Sequence, residues 1–274
     1  MPDQLLYSLL YSALFGLTDF LGVGAPAHTL LLDFMFGQNQ ASPFLMLAVH
    51  LGAMAAVLAA YGSKVRRLGR EKKLSSRNRR RQSDPIVQLD LRLLRTAVLP
   101  LIVSAFFYRA VLTLDWQMYL LALVVALNGG FLLIPRLMNR GNKDGRSVSR
   151  LDGVLIGLSG ALAVCPGFSR VGCMYSTAAA RGLDRGYALE VAALLSVPLL
   201  AVLAVLDIVA IVMTGTMVSL GALLAYMLCA AITFGAGWLS IALLRHFVTK
   251  SGITGFAYYS WGFALFTFVL YLII

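Results

Sequence analysis

The chain has 274 residues, 59% of them apolar and 13% charged, with a mean hydropathy of +0.82. Soluble globular domains carry roughly 45–50% apolar and about 25% charged residues, so this composition excludes an ordinary soluble domain and points to an integral membrane protein. The formal charge of +11 does not indicate a nucleic-acid partner, because 12 of the 23 Lys and Arg fall within 63–95 and five more within 136–150, and basic residues gathered in short loops between apolar runs follow the positive-inside bias.

In chain order, the first apolar stretch, 5–36, is broken around Gly22 to His28 by Gly, Pro and polar side chains. It lacks the basic n-region and cleavage site of a secretory signal and is expected to stay in the mature protein. Runs long enough to cross a bilayer, about 20 apolar residues, follow at 43–62, 95–113 and 117–135. The basic loop 63–94 separates the first two. Its portion 69–85 is dense in Arg, Lys and Ser and predicts a solvated segment without a fold of its own, touching anionic lipid headgroups. A second interrupted stretch, 151–183, breaks around Cys165 to Gly172 and precedes three more spans at 187–212, 217–244 and 253–274. Each half of an interrupted stretch is short for a crossing. Non-helical backbone at membrane depth is tolerated only where protein buries it or it lines a wet cavity, which predicts two re-entrant helical hairpins. The expected fold is an all-α polytopic membrane protein with six full spans and two hairpins.

The two interruptions resemble each other. Gly16-Leu17-Thr18 leads to a break at Gly24-Ala25-Pro26, and Gly157-Leu158-Ser159 leads to one at Cys165-Pro166-Gly167, 141 residues further on. Each hairpin is followed by three spans, so the chain divides into repeat one, 1–137, and repeat two, 151–274. An odd number of crossings per repeat inverts the second, an architecture whose site lies at the repeat interface. Charge gives the orientation: 63–94, 136–150 and the turn near Arg245 and Lys250 are basic and expected in the cytoplasm, whereas the opposite connections carry Asp115 and no Lys or Arg. Both termini then lie outside; the first hairpin enters from outside and the second from the cytoplasm.

Ionisable groups within apolar segments are expensive and by default suggest function. Asp19 and His28 flank the first break, and Ser169 and Arg170 occupy the second, so an inverted repeat brings an acid, an imidazole and a guanidinium together near the midplane. Pro166-Gly167-Phe168-Ser169-Arg170-Val171-Gly172 enters a helix rich in small residues. A helix N-terminus approached through glycines offers backbone N–H groups to a phosphate, and Arg adds a two-pronged donor, which makes Gly167, Ser169, Arg170 and Gly172 a candidate phosphate site. A Pro-Gly pair also simply kinks a span, and a lone His28 or His50 equally serves as an interhelical hydrogen-bonding residue. Thr18, His50, Glu190 and Asp207 are therefore taken as supporting or structural. Cys165, Cys173 and Cys229 lie in apolar segments without metal-type spacing and are expected to pack. Trp116, Tyr119, Trp261 and Tyr271 suit anchors at the membrane interface.

At the two breaks the sequence resembles the undecaprenyl-diphosphate phosphatase family, also called undecaprenyl pyrophosphatase or bacitracin-resistance protein. The first family motif, EGLTEFLPxSSTGH, aligns with Phe15 to His28, and the second, PGxSRSG, with PGFSRVG at 166–172. The family's downstream Glu, Val-Pro and Leu-Asp are similar to Glu190, Val197-Pro198 and Leu206-Asp207, and its Phe-x-x-Tyr looks like Phe256 to Tyr259. The resemblance implies a multi-pass enzyme of the bacterial plasma (inner) membrane that removes the terminal phosphate of an isoprenoid diphosphate lipid on the outer face, regenerating the lipid carrier of cell-wall synthesis. It also implies a divalent cation, Mg²⁺ or Ca²⁺, on Asp19, His28 as nucleophile or general base, and Ser169 and Arg170 as the phosphate clamp.

The motif is altered at several places. Phe15 stands for the first Glu, Asp19 for the second, Gly24-Ala25-Pro26-Ala27 for the hydroxyl-bearing run, Val171 for the last Ser of the second motif, and Ser260 for the Arg after Phe-x-x-Tyr. Two functions follow: a divergent phosphatase in which Asp19, His28 and Arg170 suffice, or a catalytically degenerate homologue that binds or translocates an isoprenoid phosphate lipid.

Overall fold

The computed structural model describes residues 2–38, 41–77, 85–145, 147–215, 217–250 and 252–273. The described residues are helical apart from short connections and one isolated bridge between Lys143 and Leu183. The first interrupted stretch forms α1 (Pro2–Phe20) and α2 (Ala25–Met35). Then come α3 (Pro43–Ala60), α4 (Gly62–Arg77), α5 (Pro85–Leu112) and α6 (Met118–Leu137). The second interrupted stretch forms α7 (Arg150–Ala161), a single 3₁₀ turn (Leu162–Val164) and α8 (Arg170–Ala180). The chain closes with α9 (Arg185–Thr214), α10 (Leu220–Lys250) and α11 (Thr254–Ile273).

Among the described residues six helices are long and apolar enough to cross a membrane: Pro43–Ala60, Asp90–Leu112, Met118–Leu137, Arg185–Thr214, Leu220–Thr249 and Thr254–Ile273. These coincide with the six runs read from the sequence, and the chain is an all-α multi-pass membrane protein. The interrupted stretches differ from each other in length, since α1 has 19 residues and α7 has 12. At 1.5 Å per residue α1 covers about 28 Å, so the first hairpin has one long arm rather than two short ones.

Local chemistry sets the helix starts. Ser42 caps α3 by accepting from the Leu45 amide at 3.2 Å, with Pro43 pre-set in its first turn. Ser149 and Asp152 form a reciprocal capping box on α7. Asp184 caps α9 through the Gly186 and Tyr187 amides.

Residues 69–85 were expected to lack a fold. Instead α4 runs through Arg77, and α5 begins at Pro85; residues 78–84 lie outside the described ones. Lys, Arg and Leu are good helix formers, and α4 has an anchored side: Leu68 is buried, and Val65 packs against the core. Lys64 secures its first turn, pairing with Glu190 at 2.7 Å and Asp90 at 3.1 Å. Burial alone would depress the Lys64 ammonium, but its two carboxylate partners outweigh burial and hold its pKa above the ordinary lysine value.

The packing exchanges partners between the two halves. α1 lies on α10 and α7 on α5, α2 meets α11 and α8 meets α6, while α3 pairs with α9 and α6 with α11. α10 sits between α1 and α3 at glycines: a Cβ on Gly16 would come within 2.7 Å of the Thr233 carbonyl oxygen, and one on Gly52 would collide with that of Ala230. Small residues let backbones approach, and interhelical hydrogen bonds then hold the pair. Here Thr233 donates to the Ser12 carbonyl at 3.0 Å and Ser240 to that of Leu17 at 2.8 Å. The basic segments gather at one end of the bundle, where Arg245 lies 4.1 Å from the Tyr61 ring centroid and Arg185 donates to the Pro135 carbonyl. Gly52→Val would wedge α3 from α10 and is expected to destabilise the fold by about 1–3 kcal/mol, the cost of overpacking, read as a lower melting temperature in detergent.

Candidate active site

The two chain breaks cross. Gly24 has φ 82° and Gly167 φ 117°, conformations that side chains resist, and a Cβ on Gly24 would sit 2.7 Å from the Gly167 carbonyl oxygen. Asn128 of α6 ties the crossing together. Its Nδ2 donates to the Gly22 carbonyl at 3.1 Å and to Ser260 Oγ at 3.3 Å, and its Oδ1 accepts from the Ser169 amide at 2.8 Å. Backbone left over by a broken helix needs such partners, because hydrocarbon offers none.

Beside the crossing, Arg170 Nη2 donates to Asp19 Oδ2 at 2.6 Å, with both side chains buried. The pair faces a cavity of ≈ 30 Å³, also lined by His50, Ser104, Tyr108 and Phe168. That is room for about two water molecules. Arg170 keeps one further donor, Nε, buried without a protein partner. The sequence-level expectation that an acid and a guanidinium from opposite halves meet is therefore realised in space.

The imidazole that joins them is His50, not His28. His28 Nδ1 donates to the Gly24 carbonyl at 2.8 Å, which leaves Nε2 to accept from the Tyr259 hydroxyl at 2.9 Å. Its ring stacks on Phe263 at 4.1 Å, facing α11 instead of the cavity. His50 points its Nδ1–H at Asp207 Oδ2, 2.6 Å away, while Nε2 is buried and has no protein partner. Asp207 in turn accepts from Arg109 Nη1 at 3.1 Å. Phe15, at the place of the motif's first Glu, meets the His50 ring edge-on at 5.7 Å.

The other candidates have defined places. Ser169 is spent as the cap of α8: its Oγ accepts from the Gly172 amide at 3.1 Å, so that amide is not presented to the cavity. Gly167 shapes the crossing. Thr18 bonds back to the Leu14 carbonyl at 2.6 Å and lines a separate apolar cleft between α1 and α11. Glu190 belongs to the ion cluster of Lys64 and Asp90 at the basic end, where Tyr187 also donates to Asp90 at 2.6 Å. For the divalent cation, Asp19 is the single carboxylate lining the cavity and is already paired with Arg170. Among the described residues no three His, Cys, Asp or Glu gather as a metal site. The donor set does not fit an ion held by the protein alone.

Asn128, Arg109 and Asp33 were missed from the sequence. Asp33 accepts from Tyr7 at 2.6 Å and lines, with Arg109, a small pocket that shares Leu30, Asp33 and Leu112 with an outer cleft of ≈ 540 Å³. Arg109 had a signal: it sits near the end of an apolar run that leads to a loop free of Lys and Arg, against the charge bias. Asn128 was the lone amide in its span.

A family model described as bacitracin resistance protein BacA matches residues 8–266. The chain belongs to that family. Curated relatives extend over its full length: an undecaprenyl-diphosphatase of Thermodesulfovibrio yellowstonii is 27% identical and covers 98% of both chains. Undecaprenyl-diphosphatase 1 of Shouchella clausii is 26% identical over 97% of this chain and 96% of its own. A third, from Desulforudis audaxviator, reaches 31% identity over 68% of this chain and 69% of its own. Within this BacA-family fold, Asn128→Ala strands the Gly22 carbonyl and the Ser169 amide. It is expected to cost about 1–3 kcal/mol for each buried group left unpaired, measured as a fall in thermal stability in detergent.

Proposed function

We propose that this chain hydrolyses undecaprenyl diphosphate to undecaprenyl phosphate and inorganic phosphate in the bacterial inner membrane, recycling the lipid carrier for cell-wall synthesis. Family membership and full-length relatives named undecaprenyl-diphosphatase support this reading. The deciding observation is the placement of Arg170: a guanidinium buried at the first turn of α8, beside the crossing of two broken helices and facing a cavity. A buried Arg needs an anionic partner. Asp19 fills that need in this conformation through one oxygen, and a terminal phosphate can engage the guanidinium fork through two.

In this reading Arg170 neutralises charge on the terminal phosphate and stabilises the additional charge of the transition state, while the helix N-terminus adds its positive dipole end. Asp19 orients Arg170 when the lipid is absent. Basic α4 fits contact with anionic headgroups on the cytoplasmic side.

The test is phosphate release from undecaprenyl diphosphate by purified protein in detergent, with Mg²⁺, Ca²⁺ or chelator, beside Arg170→Ala. Loss of one charge-stabilising donor is expected to lower kcat by about 100-fold or more. Lipid-phosphate binding without release in the unaltered protein would instead make it a binding or translocating relative.

A further inference from the structure

We propose that His50, oriented by Asp207 and Arg109, is the general base of this chain; the assignment rests on the phosphatase reading above and names its proton acceptor. His28, the imidazole that the motif suggests, has both ring nitrogens engaged, by Gly24 and Tyr259. His50 has one engaged and one open. Its Nδ1–H is fixed on Asp207 at 2.6 Å, so the neutral ring carries its lone pair on Nε2. That nitrogen is buried, lacks a protein partner, and belongs to a residue lining the same cavity as Asp19 and Arg170.

Most buried polar side-chain atoms find a partner and an orphaned one costs stability, so the open Nε2 is a place for a water or a substrate group. The arrangement here is the one a base requires: an acceptor aimed at the reaction space, a carboxylate behind it fixing tautomer and ring orientation, and a third group holding the carboxylate. Arg109 is that third group, at 3.1 Å from Asp207. The cavity that His50 lines has room for about two waters. Phe15 and Tyr108 contact the ring edge-on at 5.7 and 6.2 Å and hold its plane. Charged and titratable groups reach His50 from each neighbouring element: Asp207 from α9, Asp19 from α1, Arg170 from α8, and Tyr108 from α5 with Arg109 behind Asp207. Where α10 meets α3 two residues further on, at Gly52, it presents Ala230 and Thr233, which are uncharged.

The step balances as a hydrolysis. A water oxygen forms a bond to the terminal phosphorus, and its proton passes to His50 Nε2. The bond from that phosphorus to the bridging oxygen breaks, and its electron pair leaves with the lipid monophosphate. Asp207 stabilises the imidazolium until the proton passes to a phosphate product or to solvent. Position gives the step a side: His50 and Asp207 each lie seven residues inside the helix ends opposite the basic loops, at Pro43 and Thr214. Seven residues are about 10 Å of helix.

The test compares kcat, KM and pH profiles for the unaltered protein, His50→Gln, Asp207→Asn and His28→Gln, with undecaprenyl diphosphate in detergent. General-base removal is expected to lower kcat by about 10²- to 10⁴-fold. KM should stay nearly unchanged in His50→Gln, and the acid limb of the unaltered protein's profile should disappear. Asp207→Asn is expected to lose about 10-fold or more, with partial rescue in Asp207→Glu. Loss of the acid limb in His28→Gln but not in His50→Gln would overturn the assignment and make His28 the base. Phosphate release by His50→Gln at the unaltered rate would overturn the base assignment while leaving the phosphatase reading intact. Absence of release from the unaltered protein would overturn both. If His50→Gln does not fold, Asp207→Asn decides, and an unchanged kcat there overturns the assignment.

Discussion

Everything in this site depends on one constraint: backbone polar groups released by a broken helix cannot be left bare in hydrocarbon. The chain breaks two helices at membrane depth and meets the constraint by crossing them. Gly24 and Gly167 allow the approach, since a Cβ on either would meet the opposing backbone or the side chain of Val124. Asn128 then serves as a joint between the halves, bonding Gly22 of the first break and Ser169 of the second. The crossing puts the C-terminus of α1 next to the N-terminus of α8, which is why Asp19 and Arg170 touch although 151 residues separate them.

That ion pair brings charge to a cavity whose walls are otherwise mostly apolar. A buried guanidinium with no counter-charge would be strongly destabilising, and so would a buried lone carboxylate. Each neutralises the other, so a phosphate can take over Arg170 only if Asp19 gains another partner. The second ion pair, Asp207 with Arg109, has a different surrounding: Arg109 is 33% exposed, whereas Asp207 is fully buried. It links the interior to the outer pockets, and the His50 ring lies between the two pairs.

The fold was largely legible in the sequence, because span length and apolar runs are local properties. The six spans, both breaks, and Asp19 and Arg170 as the charged groups beside them could be seen one segment at a time. What escaped was pairing. His50 and Asp207 are 157 residues apart, and nothing local says which histidine finds a carboxylate. The motif drew attention to His28, whose neighbours Gly24 and Tyr259 turn it towards α11. Arg109 and Asn128 were each polar residues within apolar runs, and their meaning lies in the partners that the fold brings to them. The segment 69–77 was misjudged for another reason: its charge suggested a solvated loop, but Leu68 just before it is anchored in the core and lets the helix continue.

The two ends of the bundle divide the work. At the basic end, charged side chains join helices: Lys64 with Asp90 and Glu190, Arg181 with Asp152. These pairs fasten α4, α5, α7, α8 and α9 where the positive-inside bias places the cytoplasm. At the opposite end, charged groups line space. Asp33 and Arg109 border a pocket that shares residues with a cleft of ≈ 540 Å³, and Asp207 connects Arg109 to His50. The inner cavity beside Arg170 shares no lining residue with that pocket, so the chain from Arg109 through Asp207 to His50 is a link between the two. The same distribution of charge that orients the protein in the membrane therefore leaves its fastening pairs at one end and its pocket-lining charges at the other.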